Sequence, residues 1–278
     1  DRRQAMAEMV KNLIFCGAKR IALLGVNSSI QTDMLRYEGW ISASRAYDMP
    51  VDESDVFYSD NGARKCISGF LENYKKYDAV ACTNDYYAIC LLSEAAQKNI
   101  LVPDELMITG FGNIHLSQYT SPALTTVALN FNEVGTQVVN MYLYLKKNPE
   151  LQSCSYILRS QIIARETTKK PHIRLGNKNI SPGSIGAAFE PSYEKGLSDI
   201  YSLENAVVSW DETDYKIIRG LLSDLSYEAL SENLFLSETA FKYRLHKLFH
   251  ATGTNSRQSL IGTLQKYAPK LLEYGEDI

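Results

Sequence analysis

The sequence lacks several features that would place it in a common functional class. It has no apolar run long enough to span a membrane and no signal peptide, so we expect a soluble, cytoplasmic protein without a membrane partner. Its five cysteines are scattered without C-x-x-C spacing, which is typical of buried thiols in a reducing compartment. The formal net charge is only -3, which excludes an overall basic surface and restricts any nucleic-acid site to a local patch.

Motifs of the common enzyme classes are also missing. The chain contains no phosphate-binding loop motif, no G-x-S-x-G, no H-E-x-x-H and no set of cysteines and histidines with metal-ligand spacing. Of its four histidines, His246 and His250 stand four residues apart, but no carboxylate or cysteine partner is in view. We therefore expect no catalytic residues, no metal and no cofactor.

The first part of the chain alternates short apolar runs with longer amphipathic segments. Its length of 278 residues predicts about two domains. The predicted strands are RIALLG, DVFYS, DAVACT, LMITGFG, LTTVAL and a long final strand, CSYILRSQIIAR. Helical patterns separate them, and such alternation indicates parallel βαβ units. We therefore predict an α/β domain with a doubly wound parallel sheet over residues 1–168.

The rest of the chain differs in composition and in the spacing of its apolar residues. Between about Thr168 and Leu203 the alternation fails in a stretch rich in proline, glycine, serine and asparagine. We interpret residues 169–203 as a linker or irregular arm. Beyond it the apolar spacing is helical throughout, and residues 204–278 are predicted to form a small all-α domain.

Polar and mostly uncharged residues follow the predicted strands. Ligands of open α/β sheets bind beyond the carboxyl ends of the strands. The candidate ligand-binding residues from this pattern are Asn27, Asn84, Asp85, Tyr86 and Asn113. They suit a small polar effector better than a phosphate. Taken one by one, each also fits an ordinary turn or helix cap.

The order of these segments carries a family resemblance. "AKRIALLGVNSS", "MLRYEGW", "DAVACTNDYYAICLLSEAAQKNILVPDELMITGFGN" and "SPALTTVALNFNEVG" together resemble the effector-binding domain of the LacI/GalR transcription regulators, over about Asp1 to Thr168. The resemblance implies a periplasmic-binding-protein-like fold with two lobes, a ligand cleft between them, and homodimerisation. It also implies that part of the first lobe precedes Asp1.

Individual positions sharpen what the resemblance implies. Arg36 matches the arginine that the family carries ahead of a G-[FW] pair, and it joins the candidate ligand-binding residues. Asn84 and Asp85 match the family's asparagine-aspartate pair. Gly112 stands where the family usually has an aspartate, and Leu129 where it usually has a glutamine. Since both replacements remove polar contacts, we expect weak binding of simple hexoses.

A second resemblance lies near the carboxyl end. "LSDLSYEALSENLFLSETAFKYRLHKLFHATGTNSRQSLI" resembles the LuxR-type helix-turn-helix, which implies DNA binding by a second helix that begins at Ser237. Helical spacing places Phe241, Leu245 and Leu248 in the core. Candidate DNA-binding residues are Ser237, Thr239, Lys242, Tyr243, Arg244, His246, Lys247 and Arg257. Spacing by itself leaves an ordinary solvated helix face as an equal alternative.

These observations predict a transcription regulator with a ligand-sensing domain and a C-terminal DNA reader. LacI/GalR proteins normally carry their DNA-binding domain at the N-terminus. One alternative is a response-regulator-like protein, although RIALLG is followed by Val26-Asn27-Ser28 rather than an acidic pair. Another is a regulator that senses a protein partner and has no small-molecule effector. A homodimer is expected because paired half-sites require one, through the MLRYEGWISASRAY helix or the closing helix from Ser259 to Tyr274.

Overall fold

The computed structural model describes residues 1–170, 195–223 and 225–273. A six-stranded sheet organises the first part of the chain, with the order β2-β1-β3-β4-β5-β6. The strands are β1 (Ile21–Val26), β2 (Val56–Tyr58), β3 (Ala79–Cys82), β4 (Met107–Gly112), β5 (Thr125–Ala128) and β6 (Gln161–Ile163). The first five are parallel, as the alternating pattern predicts, and β6 is antiparallel to β5.

Helices cover both faces of this sheet, so the predicted doubly wound α/β architecture is confirmed. They are α1 (Arg2–Phe15), α2 (Gln31–Ala46), α3 (Ala63–Asn73) and α4 (Asp85–Gln97). Every residue of β1 is buried because alternate side chains enter two different cores. Leu23 packs in the core beneath α1 and α2, and Leu24 packs in the core beneath α3 and α4. The apolar run of this strand is therefore explained by burial on both faces.

The helices α1 and α2 approach each other unusually closely. A Cβ atom placed on Gly39 of α2 would lie 2.2 Å from the carbonyl oxygen of Arg3 in α1. The next residue, Trp40, is buried and donates its indole N–H to the Ile21 carbonyl at 3.2 Å. Glycine at position 39 thus sets the distance at which the helix pair packs on the sheet.

The end of the α/β part differs from the sequence prediction. The long final strand predicted for CSYILRSQIIAR is wrong: only Gln161–Ile163 pairs with the sheet, and residues 151–160 have no regular structure. The neighbouring strand β5 has only four residues, so it can pair with only a short segment of the chain. The preceding helix, α5 (Phe131–Lys147), has no buried residue, and its Val138, Val139 and Tyr142 are more than half exposed.

The C-terminal part is helical, as predicted. Its helices are α6 (Lys195–Ser209), α7 (Glu212–Gly220), α8 (Tyr227–Asn233), α9 (Glu238–Thr252), α10 (Arg257–Tyr267) and α11 (Lys270–Glu273). The predicted linker is wrong for residues 195–203, which belong to α6. Burial of Leu197, Ile200 and Leu203 on one face of α6 outweighs the local composition. Residues 171–194 of the predicted linker lie outside the described residues.

Packing joins the helical part to the α/β part. The core on the α3 and α4 side of the sheet continues into α6 and α10. The rings of Tyr86 and Tyr201 lie 6.2 Å apart across this contact. The backbone N–H of Lys270 also donates to the Tyr119 carbonyl at 3.1 Å. The described residues contain no helix of the length and apolarity needed to cross a membrane.

Candidate functional site

Two predicted effector residues lie where β1 ends. The Asn27 side-chain oxygen accepts a hydrogen bond from the Ser29 N–H at 2.9 Å, and the backbone N–H of Asn27 donates to Asp33 at 3.2 Å. Arg36 donates to the other oxygen of Asp33 at 2.5 Å, and its guanidinium lies 4.5 Å from the centre of the Phe111 ring. The Arg36 side chain is only 11% exposed. Asp33, which the sequence analysis missed, therefore holds Arg36 at this edge of the sheet.

Asp85 is fully buried and has a different role from the one predicted. One carboxylate oxygen accepts the Thr126 hydroxyl at 2.5 Å, and the other accepts the Ile114 N–H at 2.9 Å. A Cβ atom at Gly110 would come within 2.1 Å of the first oxygen, so glycine there leaves room for the carboxylate. Asp85 thus ties α4 to the segments after β4 and in β5. The direct ligand contact predicted for Asp85 does not fit this geometry.

Asn113 is also buried, against the expectation that it would face a ligand. It has a positive φ of 53°, and it follows Gly112 with a φ of 135°. Its side-chain oxygen accepts from Arg165 at 2.7 Å. Arg165 also donates to the Leu124 carbonyl at 2.7 Å and to the Ser117 hydroxyl at 3.1 Å. The sequence analysis missed Arg165 because no local motif marks it.

The two remaining predicted effector residues flank the start of α4. Asn84 caps this helix, and its side-chain oxygen accepts the Tyr87 N–H at 3.0 Å. Tyr86 is 2% exposed, and its ring lies 6.2 Å from that of Tyr201 in α6, so in this arrangement it presents little surface to a ligand. Of the six predicted effector residues, Asn27, Arg36 and Asn84 keep partial exposure at the edge.

The burial of Asp85 has a measurable consequence for pH dependence. Burial raises the pKa of Asp85 to about 6 from an ordinary 3.8, although the Thr126 and Ile114 hydrogen bonds oppose that shift. The folded state therefore holds this proton more tightly than the unfolded chain. The contribution of this carboxyl to stability is fully present below about pH 4 and is lost as the pH rises through about 6.

Asp85→Asn should therefore flatten the dependence of the melting temperature on pH between about 4 and 6. The wild-type slope from this group is at most about 1.4 kcal/mol per pH unit. Thermal unfolding across that range measures it, with the exposed Asp104→Asn as the control. An unchanged slope in Asp85→Asn would show that the carboxyl is ionised throughout.

The predicted reader helix is present as α9. The Ser237 hydroxyl caps it by accepting the Ala240 N–H at 3.2 Å, and the left-handed Gly253 (φ 66°) ends it. Phe241, Leu245 and Leu248 are buried, as the helical spacing predicts. The opposite face is exposed and carries Thr239, Lys242, Tyr243, His246 and Lys247. The side chains predicted to meet DNA on that face are therefore brought together.

Two predicted DNA contacts are instead used within the helical part. Arg244 donates to Asp211 at 2.9 Å and to Asp214 at 2.8 Å, which ties α9 to the start of α7. The guanidinium of Arg244 lowers the pKa of Asp211. Arg257 donates to the carbonyls of Leu221 at 2.7 Å and Leu225 at 2.8 Å. Both arginines stabilise the helix arrangement, and their contact with DNA stays a prediction.

A buried carboxylate connects the two parts of the molecule. Glu204 of α6 is 2% exposed and accepts the backbone N–H groups of His115 at 2.7 Å and Leu116 at 2.8 Å. These residues begin the short turn His115–Gln118, two positions beyond Asn113. The sequence analysis missed Glu204, since its partners are distant in the chain.

Over residues 1–170, 195–223 and 225–273, no group of three or more histidine, cysteine, aspartate or glutamate side chains could hold a metal ion. The rings of His246 and His250 stack 6.4 Å apart on the exposed side of α9.

Comparison with known proteins agrees with this architecture. The family model of periplasmic binding protein-like domains matches residues 10–168, and the chain belongs to this family. The predicted periplasmic-binding-protein-like fold is thereby confirmed for the α/β part. The match ends before the helical part begins.

The curated relatives and solved structures that resemble the α/β part are described as transcription regulators. The chain is similar to the HTH-type transcriptional repressor PurR of Histophilus somni (strain 2336), with 30% identity over 134 residues, 47% of this chain and 40% of the relative. The repressor CytR of Escherichia coli (strain K12) is 28% identical over 172 residues, 61% of this chain and 50% of the relative. The chain spans about half the length of these relatives.

Among solved structures, the transcription regulator GntR from Chromobacterium violaceum has a TM-score of 0.53 and 27% identity, covering 60% of this chain and 63% of that chain. A sugar-binding LacI-family regulator from Escherichia coli, complexed with phosphate, has a TM-score of 0.55 and 22% identity, covering 62% of both chains. The second likeness concerns the fold alone.

Proposed function

We propose that this chain is a transcription regulator whose α/β part senses a signal and whose C-terminal helix pair reads DNA. The observation that carries the proposal is the exposed face of α9, where Lys242, Tyr243, His246 and Lys247 lie opposite a buried apolar stripe. The similarity of the α/β part to HTH-type repressors supports a regulatory role. The LuxR-type identity of the helix pair rests on its sequence resemblance.

The dimensions of the reader helix fit the proposed role. An α-helix with its side chains is about 10–12 Å wide, and the major groove of B-DNA is about 12 Å wide. Lys242 and Lys247 can neutralise phosphates, which positions a helix without reading sequence. Tyr243, 72% exposed, and His246 can reach base edges from the same face. Ser237 and Thr239 lie at the amino end, which is favourable for phosphate contacts.

A route from sensor to reader also supports the proposal. Asn113 lies at the carboxyl edge of the sheet, and two residues later the backbone donates to Glu204 of α6. Helix α6 in turn packs against α9. A displacement at the sheet edge therefore reaches the reader through two packed elements. Coupling of this kind requires that the protein have two conformations, and that these conformations differ in their affinity for the signal.

The proposed effector is small and polar, and it would meet Asn27, Arg36 and Asn84 at the edge of the sheet. The Arg36 guanidinium suits a carboxylate or neighbouring hydroxyls. Gly112 and Leu129 offer no polar side-chain contact, so we expect little stabilisation by simple hexoses. Thermal-shift measurements with monosaccharides examine this part of the proposal.

A regulator that senses a protein partner is the second candidate. The exposed apolar side chains of α5, among them Val138, Val139 and Tyr142, favour it, because contiguous exposed apolar surface is typical of interaction sites. Homodimerisation remains a proposal. Of the two surfaces predicted for it, α2 packs against α1 and α10 packs against α4 within one chain. Sedimentation equilibrium with and without DNA decides the oligomeric state.

Lys242→Ala should weaken DNA binding on every sequence and flatten its salt dependence. Each lost phosphate contact reduces the slope of log affinity against log salt by about 0.9. Among residues 1–170, 195–223 and 225–273, Lys242 forms an ion pair only with the exposed Glu238, so its removal should leave the fold intact. Fluorescence anisotropy with duplex DNA at several salt concentrations measures the slope.

The matched control is Lys65→Ala, which removes the same charge from an exposed position on α3 of the α/β part. It should leave the slope unchanged. Equal slopes for wild type and Lys242→Ala, in a protein that binds DNA, would remove Lys242 from the interface. A folded protein without salt-dependent binding to any duplex would overturn the proposed reader function.

A further inference from the structure

A large cleft lies between the α/β part and the helical part, away from the edge of the sheet that carries Arg36. Its volume is about 910 Å³, and its walls come from α3 and α4 on one side and from α6 and α10 on the other. Ligand pockets commonly lie between domains and measure about 300–1,000 Å³, which accommodates a ligand of tens of non-hydrogen atoms. The cleft therefore has the size and place of a second binding site.

Charges of both signs line this cleft. Its acidic and basic side chains are Glu72, Glu94, Asp199, Arg64, Lys98 and Lys266. Glu94 and Lys98 lie one turn apart at the end of α4, and Lys266 faces them from α10. The ion pairs found between described residues use none of these three side chains. Glu94, Lys98 and Lys266 thus share the cleft without forming an ion pair with one another.

The floor of the cleft is apolar and its rim offers hydroxyl groups. Ile67, Leu71, Leu197 and Tyr267 line it and are each less than a tenth exposed. Ser93, Ser259 and Thr263 add hydrogen-bonding groups around them. The ammonium of Lys266 lies 4.8 Å from the centre of the Tyr267 ring. An occupant of this cleft needs an apolar body together with polar or charged ends.

We infer that this cleft binds a short linear peptide with free termini and aliphatic or aromatic side chains. A polyphosphate or nucleotide would favour an excess of cations, whereas acids and bases are equal in number here. A sugar would meet the apolar floor with its hydroxyls unpaired. A peptide places its ammonium terminus near Glu94, its carboxylate terminus near Lys98 or Lys266, and its side chains on the floor.

Binding in this cleft would act on the arrangement of the two parts. The walls belong to both parts, so the peptide binds fully only when the helical part is docked as described. A ligand that binds one arrangement better stabilises that arrangement by its differential affinity. The peptide therefore serves as a second input, separate from the proposed effector at Arg36, and its binding does not depend on the DNA-reading proposal.

Isothermal titration calorimetry of the full chain with alanyl-leucyl-alanine and alanyl-phenylalanyl-alanine tests the inference. At least one of these tripeptides should bind, and the same peptide with an acetylated amino end and an amidated carboxyl end should bind roughly ten- to a hundredfold more weakly, because two charge-assisted contacts are lost. Equal binding of free and blocked peptides, or no binding of either tripeptide at millimolar concentration, overturns it.

Variants locate the binding. A Cβ at Gly262 meets no atom within 4 Å, so Gly262→Leu can fill the cleft without a backbone clash, while Gly262→Ala leaves room. Gly262→Leu should abolish peptide binding, and Gly262→Ala should retain it. Glu94→Gln and Lys98→Gln should each weaken binding about tenfold. Binding that survives Gly262→Leu in a folded protein, shown by circular dichroism, places the peptide elsewhere and overturns the assignment.

Discussion

Replacing Gly39 by alanine should destabilise the protein severely. The added Cβ would lie 2.2 Å from the Arg3 carbonyl oxygen and 3.2 Å from the Ala7 nitrogen. Both are backbone atoms of α1, so the clash is relieved only if the helices α1 and α2 separate. Overpacking in a close-packed core costs about 1–3 kcal/mol, and we expect the upper end of that range or more because no side chain can rotate away. Urea unfolding measures the loss.

Gly69→Ala is the matched control for this experiment. Gly69 lies inside α3, and a Cβ there meets no atom within 4 Å. The same substitution should therefore stabilise the protein by about 0.5–1 kcal/mol, since alanine is the better helix former. If Gly39→Ala and Gly69→Ala shift the urea midpoint in the same direction, the close approach of α1 and α2 is not the constraint described.

Removing the Glu204 carboxylate should loosen the contact between the two parts of the molecule. In Glu204→Ala the buried N–H groups of His115 and Leu116 lose their acceptor, and leaving two such donors unsatisfied costs about 3 kcal/mol. Water entering the gap reduces that cost but also opens the contact. Hydrogen exchange of these two amides should accelerate by about two orders of magnitude. Mass spectrometry of the exchanged peptide that contains them measures this rate.

Glu204→Gln separates the hydrogen bonds from side-chain volume. Glutamine keeps the length of the side chain and one acceptor oxygen, so it should lose roughly half of the stabilisation that alanine loses. Exchange at residues far from the contact, such as those of β1, should follow only the change in global stability. Equal protection of His115 and Leu116 in wild type and Glu204→Ala would exclude the carboxylate as the link.

Much of the α/β part follows from local sequence patterns. The strands β1, β3 and β4 are recognisable because they are buried on both faces, which requires short continuous apolar runs. Asn84 and Ser237 are recognisable as caps because their side chains replace a missing helical acceptor locally. The patterns succeed where the decisive interaction lies within a few residues.

The remaining structure depends on contacts between distant residues. Glu204 meets His115 across 89 positions, and Arg165 meets Asn113 across 52. No periodicity in the chain marks such pairs. The helix over residues 195–203 and the shortness of β6 have the same origin, since a neighbouring element decides whether these residues find partners.

The edge of the sheet where the effector is proposed to bind also could not be predicted from local sequence patterns alone. A polar residue after a strand is equally compatible with a ligand contact and with an internal hydrogen bond. Asp85, Tyr86 and Asn113 are buried, while Asn27, Arg36 and Asn84 keep partial exposure at this edge of the sheet. Burial distinguishes the residues with internal hydrogen bonds from those that can still reach a ligand. Whether the end of a strand is buried depends on elements that come later in the chain.

The order of the two parts along the chain has a consequence for protein synthesis. During translation the sheet is complete before α6 and α10 leave the ribosome, so the surface of α4 that they cover stays exposed to water in the nascent chain. Helix α6 can then dock onto an already folded surface. On the proposed function, a polypeptide released before residue 195 contains the α/β part but lacks the helix pair that is proposed to read DNA.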